Sequence, residues 1–201
     1  YYPAENIDPT FEAEHTPNTG KIKDPATVST EAVGLLKKRT TSVTQAGNNA
    51  ESQATIGETV NYTIEASVPA GSELFGTPKL TDPLGTRLAL VPGTVKGKVK
   101  VGGTTTEIPT AGFTVAEEGG NPVLNFPTTF ANPPGEGAAT VTLEFAATVT
   151  DIAGNNREAG SSITNTATLS YQDQKLTPKT KTAAVTTTVV EPNVKVKKSH
   201  A

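Results

Sequence analysis

Three polar side chains fall on strand faces that are otherwise apolar. Successive side chains of a β-strand point to opposite sides, so residues two apart share a face. Lys37, Asp82 and Asn165 each alternate with apolar residues in this way. Those residues are Val33 and Leu35 for the lysine, Leu80 and Leu84 for the aspartate, and Ile163, Ala167, Leu169 and Tyr171 for the asparagine. The pattern predicts that all three polar groups are buried.

A buried lysine, aspartate and asparagine have a reaction open to them. Burial lowers the pKa of a lysine and raises that of an aspartate, which favours a neutral amine beside a neutral acid. The amine is then a nucleophile, and the acid can polarise the amide carbonyl by donating a hydrogen bond. Attack with loss of ammonia would leave a Lys–Asn isopeptide bond, with proximity supplied by packing. The alternative interpretation is three rim residues with ordinary hydrogen bonds.

Short strands separated by turns are the elements that must position these groups. β-branched alternation bounded by Gly, Pro and Asn predicts many strands, and no segment has a convincing amphipathic helical period. The predicted strands are 32–38, 60–68, 79–84, 89–91, 95–101, 104–108, 140–149, 163–171 and 182–190. Such a series indicates an all-β, antiparallel sandwich with Greek-key wiring.

Composition excludes several classes of function. The chain has 201 residues, a net charge of −3 and no basic stripe, which disfavours nucleic-acid binding. No apolar run approaches the roughly 18 residues of a membrane span, so we expect no membrane insertion. The absence of cysteine excludes disulfides and thiolate chemistry, and the two histidines, His15 and His200, lie near the ends. We therefore expect no cofactor and no metal, and we interpret the oxygen-rich segment 151–156 as a solvated turn.

The two ends of the chain differ in character from its middle. Residues 1–31 are polar and Pro-rich and are interpreted as a linker or an extended surface segment. The predicted domain is 32–191. Val194 to Lys198 repeats the apolar–x–apolar–x–Lys pattern of Val33 to Lys37, 161 positions later. Residues 192–201 are thus expected to begin another tandem repeat, and the chain to be part of a longer protein.

Several motifs, taken in order, resemble one family of bacterial surface domains. They are Gly34 to Lys37, Ile56 to Ile64, Leu80 to Leu84, Thr148 to Asp151, Thr164 to Leu169, and Glu191-Pro192-Asn193 leading to Lys198-Ser199. Over about residues 33–199 the chain resembles the isopeptide-forming D2-type domains of fimbrial and surface-adhesin proteins from Gram-positive bacteria. The resemblance implies an immunoglobulin-like (Cna-type) β-sandwich.

The resemblance also implies roles for the three polar residues. Lys37 would be the amine, Asn165 the amide and Asp82 the assisting acid. Two alternatives stay open. Lys38 would replace Lys37 after a shift of one residue, which exchanges the faces of a strand. Glu144 would replace Asp82 if the acid came from a later strand, as in some related domains, although its own face carries Thr142, Ala146 and Thr148.

These features together predict a structural stalk or shaft module of a surface adhesin or fimbrial protein. We expect no enzymatic turnover beyond one self-crosslinking event. The expected location is extracellular and attached to the cell surface, with neighbouring repeats as partners. The alternative is an adhesive module whose loops bind a host protein or glycan. Exposed aromatic residues on loops would favour that alternative, but Phe113, Phe126 and Phe130 are predicted to be core.

Overall fold

The computed structural model describes residues 32–41, 50–155 and 161–190. Within these ranges the chain forms thirteen β-strands, one short 3₁₀ turn at Ala153–Asn155 and no α-helix. The strands are β1 (Gly34–Thr41), β2 (Gln53–Ala54), β3 (Thr59–Val68), β4 (Glu73–Thr81), β5 (Leu88–Leu90), β6 (Lys96–Val101), β7 (Thr104–Glu107), β8 (Thr114–Glu118), β9 (Asn121–Asn125), β10 (Phe130–Ala131), β11 (Ala139–Val149), β12 (Ser162–Gln172) and β13 (Pro178–Val189). The predicted linker 1–31 and the predicted next repeat 192–201, with its copy of the first-strand pattern, lie outside the described residues, as do His15 and His200.

The strands form two sheets that enclose one core. The first sheet has the order β1-β3-β11-β6-β7, with β5 beside β11. The second has the order β2-β13-β12-β4-β9-β8, with β10 beside β4. Neighbouring strands are antiparallel except β13 and β2. The chain passes from one sheet to the other several times, including between β3 and β4 and between β11 and β12. The predicted antiparallel β-sandwich is confirmed.

Alternation along the strands builds the core. In β3 every second residue from Val60 to Val68 is buried, while most of the residues between them keep partial contact with solvent. The same period in β12 buries Ile163, Asn165 and Ala167. A period of two is what one packed face and one open face require of a sandwich strand.

The middle of the chain differs from the sequence prediction. Strand β4 begins at Glu73, six residues before the predicted strand, and bends at Gly76 and Thr77, whose φ angles are 75° and 56°. The sequence prediction does not include strands β8 and β9, because Pro122 stands inside β9 and β8 has a polar end. Gly119-Gly120 forms a turn between the two strands. That turn joins β8 to β9 as a hairpin, and β9 then pairs with β4.

Three phenylalanines cover the core at this irregular middle segment. Phe113, Phe126 and Phe130 are all buried, with ring centroids 5.2 to 5.9 Å apart. Their predicted role as core residues is confirmed. This cluster is therefore not the exposed aromatic surface that would have favoured binding through loops.

Candidate functional site

Strand β1 carries Lys37 into the core and Lys38 out of it. Lys37 lies opposite Ile64 of β3, and only 4% of its surface is exposed. The side chain of Lys38 is 58% exposed and pairs at 3.2 Å with Glu65 on the outer face of the same sheet. Because the two lysines point to opposite faces, Lys37 is the one that enters the core.

Asp82 and Asn165 reach the same core from the second sheet. Asp82 directly follows β4, is fully buried and donates its backbone N–H to the carbonyl oxygen of Pro122. Asn165 lies within β12, opposite Val185 of β13, and is 2% exposed. Both residues continue the buried face that the alternation predicts, although β4 has already ended at Thr81.

A buried ion pair connects the two sheets. Lys37 Nζ donates a hydrogen bond to Asp82 Oδ2, and both side chains are completely shielded from solvent. Two charges removed from water lose several kcal/mol each in hydration, and this loss is offset only when the geometry and the remaining hydrogen bonds are good. Here Asp82 Oδ1 finds no hydrogen-bond partner among the described residues. The pair is therefore a poor stabiliser, and its burial needs another explanation.

Burial moves the pKa values of both partners toward neutrality. Desolvation lowers the pKa of Lys37 to about 8, although the charge of Asp82 and its hydrogen bond oppose the shift. Desolvation raises the pKa of Asp82, against the effects of Lys37 and of the nearby Asn165 amide. Both shifts reduce the free-energy difference between the ion pair and a neutral amine beside a neutral acid. This is the protonation state that aminolysis of an amide requires.

The amide of Asn165 lies beside this pair without an ordinary hydrogen bond to fix its orientation. Interaction with the Asn165 side chain lowers the pKa values of both Asp82 and Tyr62, which places the amide near both groups. Neither its Oδ1 nor its Nδ2 completes an ordinary hydrogen bond within the described part of the chain. Most buried polar groups in proteins have such a partner. A buried amide without one therefore needs an explanation, and a role in a reaction is one.

Tyr62 forms one wall of the site. Lys37 Nζ lies 4.9 Å from the centroid of its ring, within the range of a cation–π contact. The ring stacks on Phe145 of β11 with the centroids 5.1 Å apart. These aromatic rings keep water from the amine and contribute to the desolvation that lowers its pKa.

Glu144, the alternative acid, is placed elsewhere. It lies on β11 opposite Thr63 of β3, with a side chain that is 40% exposed. It accepts a hydrogen bond from Lys98 Nζ at 2.7 Å on the outer face of the first sheet. The structure therefore brings Lys37, Asp82 and Asn165 together and leaves Lys38 and Glu144 outside the group.

Sequence reasoning missed two members of this site, Tyr62 and Thr187. Both hydroxyl groups are buried, and each belongs to an alternating face of apolar residues. The criterion that singled out Lys37 would also have singled them out. Tyrosine and threonine are common strand residues, so their presence on a strand face is a weaker signal in the sequence than a lysine there.

The segment after β11 is built as a structural turn. Asn155 is fully buried, accepts a hydrogen bond from Arg87 Nε at 2.7 Å and donates one to the carbonyl oxygen of Thr150 at 2.8 Å. Within the described residues no group of acidic or histidine side chains is arranged to hold a metal ion. The described residues also include no helix that is long and apolar enough to cross a membrane.

Comparison with solved structures identifies the same fold in a pilin. The chain is similar to BcpA, the major pilin subunit of Bacillus cereus, with a TM-score of 0.55 and 20% identity over 79% of this chain. A variant of the same subunit gives 0.54 and 21% over 81%. The full-length major pilin SpaD of Corynebacterium diphtheriae gives 0.49 and 17% over 77% of this chain and 34% of SpaD. The likeness to BcpA shows the fold.

The matched region is a part of a longer molecule in the pilin. The chain spans about two fifths of BcpA, 41% of its length. The chain matches no protein-family model and no curated protein sequence.

Proposed function

We propose that this chain is a structural shaft module of a bacterial surface fibre, in which a self-formed isopeptide bond joins Lys37 to Asn165. The observation that carries the proposal is the solvent-shielded Lys37–Asp82 pair beside a buried amide with no ordinary hydrogen bond. The chemistry needs no turnover, since the protein is its own substrate. The assisting acid is Asp82.

The reaction balances without a cofactor. A proton moves from Lys37 Nζ to Asp82, which leaves a neutral amine and a neutral acid. The acid donates a hydrogen bond to Asn165 Oδ1, the amine attacks Cγ, and the new N–C bond forms as the Cγ–Nδ2 bond breaks. The second amine proton passes by way of Asp82 to the departing nitrogen, which leaves as ammonia.

The position of the bond suits a load-bearing role. It would connect β1 of the first sheet with β12 of the second, and the joined residues are 128 positions apart. Force that enters near one end of the domain and leaves near the other would pass through the covalent bond. The residues between positions 37 and 165 would then be shielded from extension, because hydrogen bonds between strands would carry none of that force.

Similarity of fold supports the fibre context. BcpA, which shares the fold, is a major pilin subunit. We infer that the partners of this chain are neighbouring modules of the same fibre, at the surface of a Gram-positive bacterium. The aromatic residues that would have favoured adhesion through loops are in the core, so the shaft is the function we propose.

The mass of the intact protein tests the crosslink directly. We expect the purified chain to be lighter than its sequence by one ammonia, because bond formation releases the Asn165 nitrogen. Lys37→Met is expected to have its full sequence mass. The matched control is Lys38→Met, which removes the adjacent exposed lysine and is expected to lose ammonia like the wild type. A wild type with its full sequence mass would contradict the proposal.

The rate of crosslinking is expected to show a bell-shaped dependence on pH. The reactive pair carries one proton, shared between amine and acid, so its titration is that of the pair as a whole. Below the raised pKa of Asp82 both groups are protonated and the amine is not a nucleophile. Above about pH 8 Lys37 gives up the last proton and the acid is lost. The rate should therefore fall on both sides.

Refolding measures this profile. Chain made by cell-free synthesis and captured in denaturant is diluted into buffers of different pH, and ammonia loss is followed by mass spectrometry. Glu144→Gln serves as the control and should leave the profile unchanged. A rate that continues to rise from pH 8 to pH 10 would mean that amine deprotonation alone is limiting, and would contradict the role of Asp82.

A further inference from the structure

The acid of the proposed site lies just beyond the end of a regular strand. Strand β4 pairs with β9 as far as the rung that joins Thr81 to Val123. Asp82 follows, and its backbone N–H donates to the carbonyl oxygen of Pro122 at 3.2 Å. Proline has no N–H, so this rung lacks the return hydrogen bond of an antiparallel pair. Asp82 is therefore held by one backbone hydrogen bond where a regular rung supplies two.

The carboxyl group of Asp82 has no anchor apart from the reacting amine. Within the described residues its Oδ2 accepts a hydrogen bond from Lys37 Nζ, and its Oδ1 completes no ordinary hydrogen bond. Lys37 has to move toward the amide carbon in the proposed reaction, so it is a poor anchor for the acid. The position of the carboxyl group therefore depends on the backbone that carries it.

The side chain of Asn121 supplies the next hydrogen bond along this segment. Pro83 has no N–H, so Leu84 carries the next backbone donor after Asp82. Its N–H donates to Asn121 Oδ1 at 2.9 Å. In a continued ladder Leu84 would pair with Gly120, but Gly120 has a φ of 78° and belongs to the turn between β8 and β9. The Asn121 side chain thus takes the place of a backbone acceptor.

The other end of the Asn121 amide fixes its orientation. Nδ2 donates to the carbonyl oxygens of Glu118 and Gly119, each at 3.3 Å. The nitrogen of an amide donates and its oxygen accepts, so two carbonyl oxygens on one side and an N–H on the other determine which way the group points. The end of the β8–β9 hairpin therefore presents a fixed acceptor to Leu84.

We propose that Asn121 is a positioning residue for the crosslinking reaction and holds the acid Asp82 in place through the backbone of Leu84. The short segment is then held on both sides of Pro83, by Pro122 O before it and by Asn121 Oδ1 after it. Proline restricts the preceding residue to extended conformations, which keeps the Asp82 side chain directed into the core. The inference rests on the proposed function and adds to it the group that fixes the acid.

The position of the acid should affect the rate, because Asp82 takes part in two proton movements. It first receives a proton from Lys37 and then donates a hydrogen bond to the Asn165 carbonyl. A general acid or base has to lie within hydrogen-bond reach of its partner. A displacement of about 1 Å can cost about 10²-fold in rate, so a partial loss of position should cost about tenfold.

The first test is kinetic. Asn121→Ala removes the acceptor for Leu84 N–H from a half-buried position, and ammonia loss after refolding should be about tenfold slower than in the wild type. Asn125→Ala is the matched control. It removes the other β9 asparagine, which is also half-buried and donates to Thr114 Oγ1 at 3.3 Å, and it should react like the wild type. An unchanged rate in Asn121→Ala, or an equal loss in Asn125→Ala, would overturn the inference.

The second test observes the acid without the reaction. Asn165→Ala cannot form the crosslink and keeps the buried ion pair, so its nuclear magnetic resonance spectra report the arrangement before reaction. Adding Asn121→Ala should accelerate solvent exchange of the Leu84 amide proton and shift the signal of the Asp82 carboxyl carbon. Adding Asn125→Ala should do neither. Faster exchange at Leu84 with an unmoved Asp82 signal would mean that the hydrogen bond stabilises the hairpin alone, and would contradict the positioning role.

The two tests separate this inference from the proposed function. If the wild type never loses ammonia, the crosslink proposal fails, and the spectra in the Asn165→Ala background alone decide whether Asn121 positions the acid. If the wild type reacts and Asn121→Ala reacts equally fast, the crosslink stands and the positioning role fails. Asn121→Ser, whose side chain is one atom shorter, replaces Asn121→Ala in both tests if the alanine variant does not fold.

Discussion

Asn165→Ala is expected to lower the free energy of unfolding by roughly 5 kcal/mol, since a crosslink closing a loop of about 128 residues restricts the unfolded chain by that amount. For a domain of this size the melting temperature should fall by about 10 to 20 °C. The substitution leaves the Lys37–Asp82 pair intact, so it removes the bond without leaving an unpaired charge in the core. Denaturant titration and calorimetry of both proteins measure the difference.

Asn132→Ala provides the matched control for this prediction. Asn132 is also 2% exposed, and its amide donates to the carbonyl oxygens of Val68 at 2.9 Å and Gly137 at 2.8 Å. Its loss should cost about 1–3 kcal/mol through broken hydrogen bonds, with ammonia loss unaffected. If Asn165→Ala destabilises the domain no more than Asn132→Ala, Asn165 is an ordinary buried asparagine and the crosslink adds nothing to stability.

Alternation was sufficient to predict the strands that bring the site together. Lys37 and Asn165 lie in strands whose apolar residues recur at every second position. In the structure the face of each strand that was predicted to be buried is the one that faces the core. Asp82 is buried as predicted, although β4 ends one residue earlier. Leu80 and Leu84 on either side of it are also buried and keep this segment packed against the core. The two-residue period therefore predicted which polar residues are buried, but it did not predict where the strands end.

The rest of the fold depends on contacts that the local sequence does not contain. The β8–β9 hairpin has Pro122 in one strand and a polar Ala-Glu-Glu end in the other, and it is held by pairing with β4. The bend of β4 at Gly76 and Thr77 coincides with an irregular register in its pairing with β12. Both features are set by tertiary pairing, which outweighs local propensity in strands.

The burial of these polar groups is understandable if the structure is the state of the protein before the proposed reaction. Before reaction the fold holds an ion pair and several unsatisfied polar atoms in its core, which is unfavourable compared with apolar packing. After the proposed reaction Lys37 would contribute a neutral amide N–H, which would be able to donate to Asp82 without a buried positive charge. The folded chain would then reach its most stable form through the crosslink, and the release of ammonia would make that step effectively irreversible.

Removal of the acid is expected to have the largest effect on the reaction. Asp82→Ala takes away the hydrogen-bond donor to the Asn165 carbonyl, and general acid assistance of this kind contributes about 10²–10⁴ in rate. The amine is preserved as a nucleophile, because burial without Asp82 favours the neutral form of Lys37 even more strongly. We therefore expect a folded protein that keeps its full sequence mass over times in which the wild type reacts completely.

Glu144→Ala distinguishes the two candidate acids in the same measurement. It breaks a half-exposed ion pair with Lys98 on the outer face, and such pairs are worth about 0–1 kcal/mol. It should leave the rate of ammonia loss unchanged. The opposite result, rapid reaction in Asp82→Ala and slow reaction in Glu144→Ala, would assign the acid to β11 and would require that strand to turn its outer face toward Asn165. Since Glu144 and the buried Leu143 and Phe145 alternate along one regular strand, such a turn would expose both apolar side chains, and for this reason we assign the acid to Asp82.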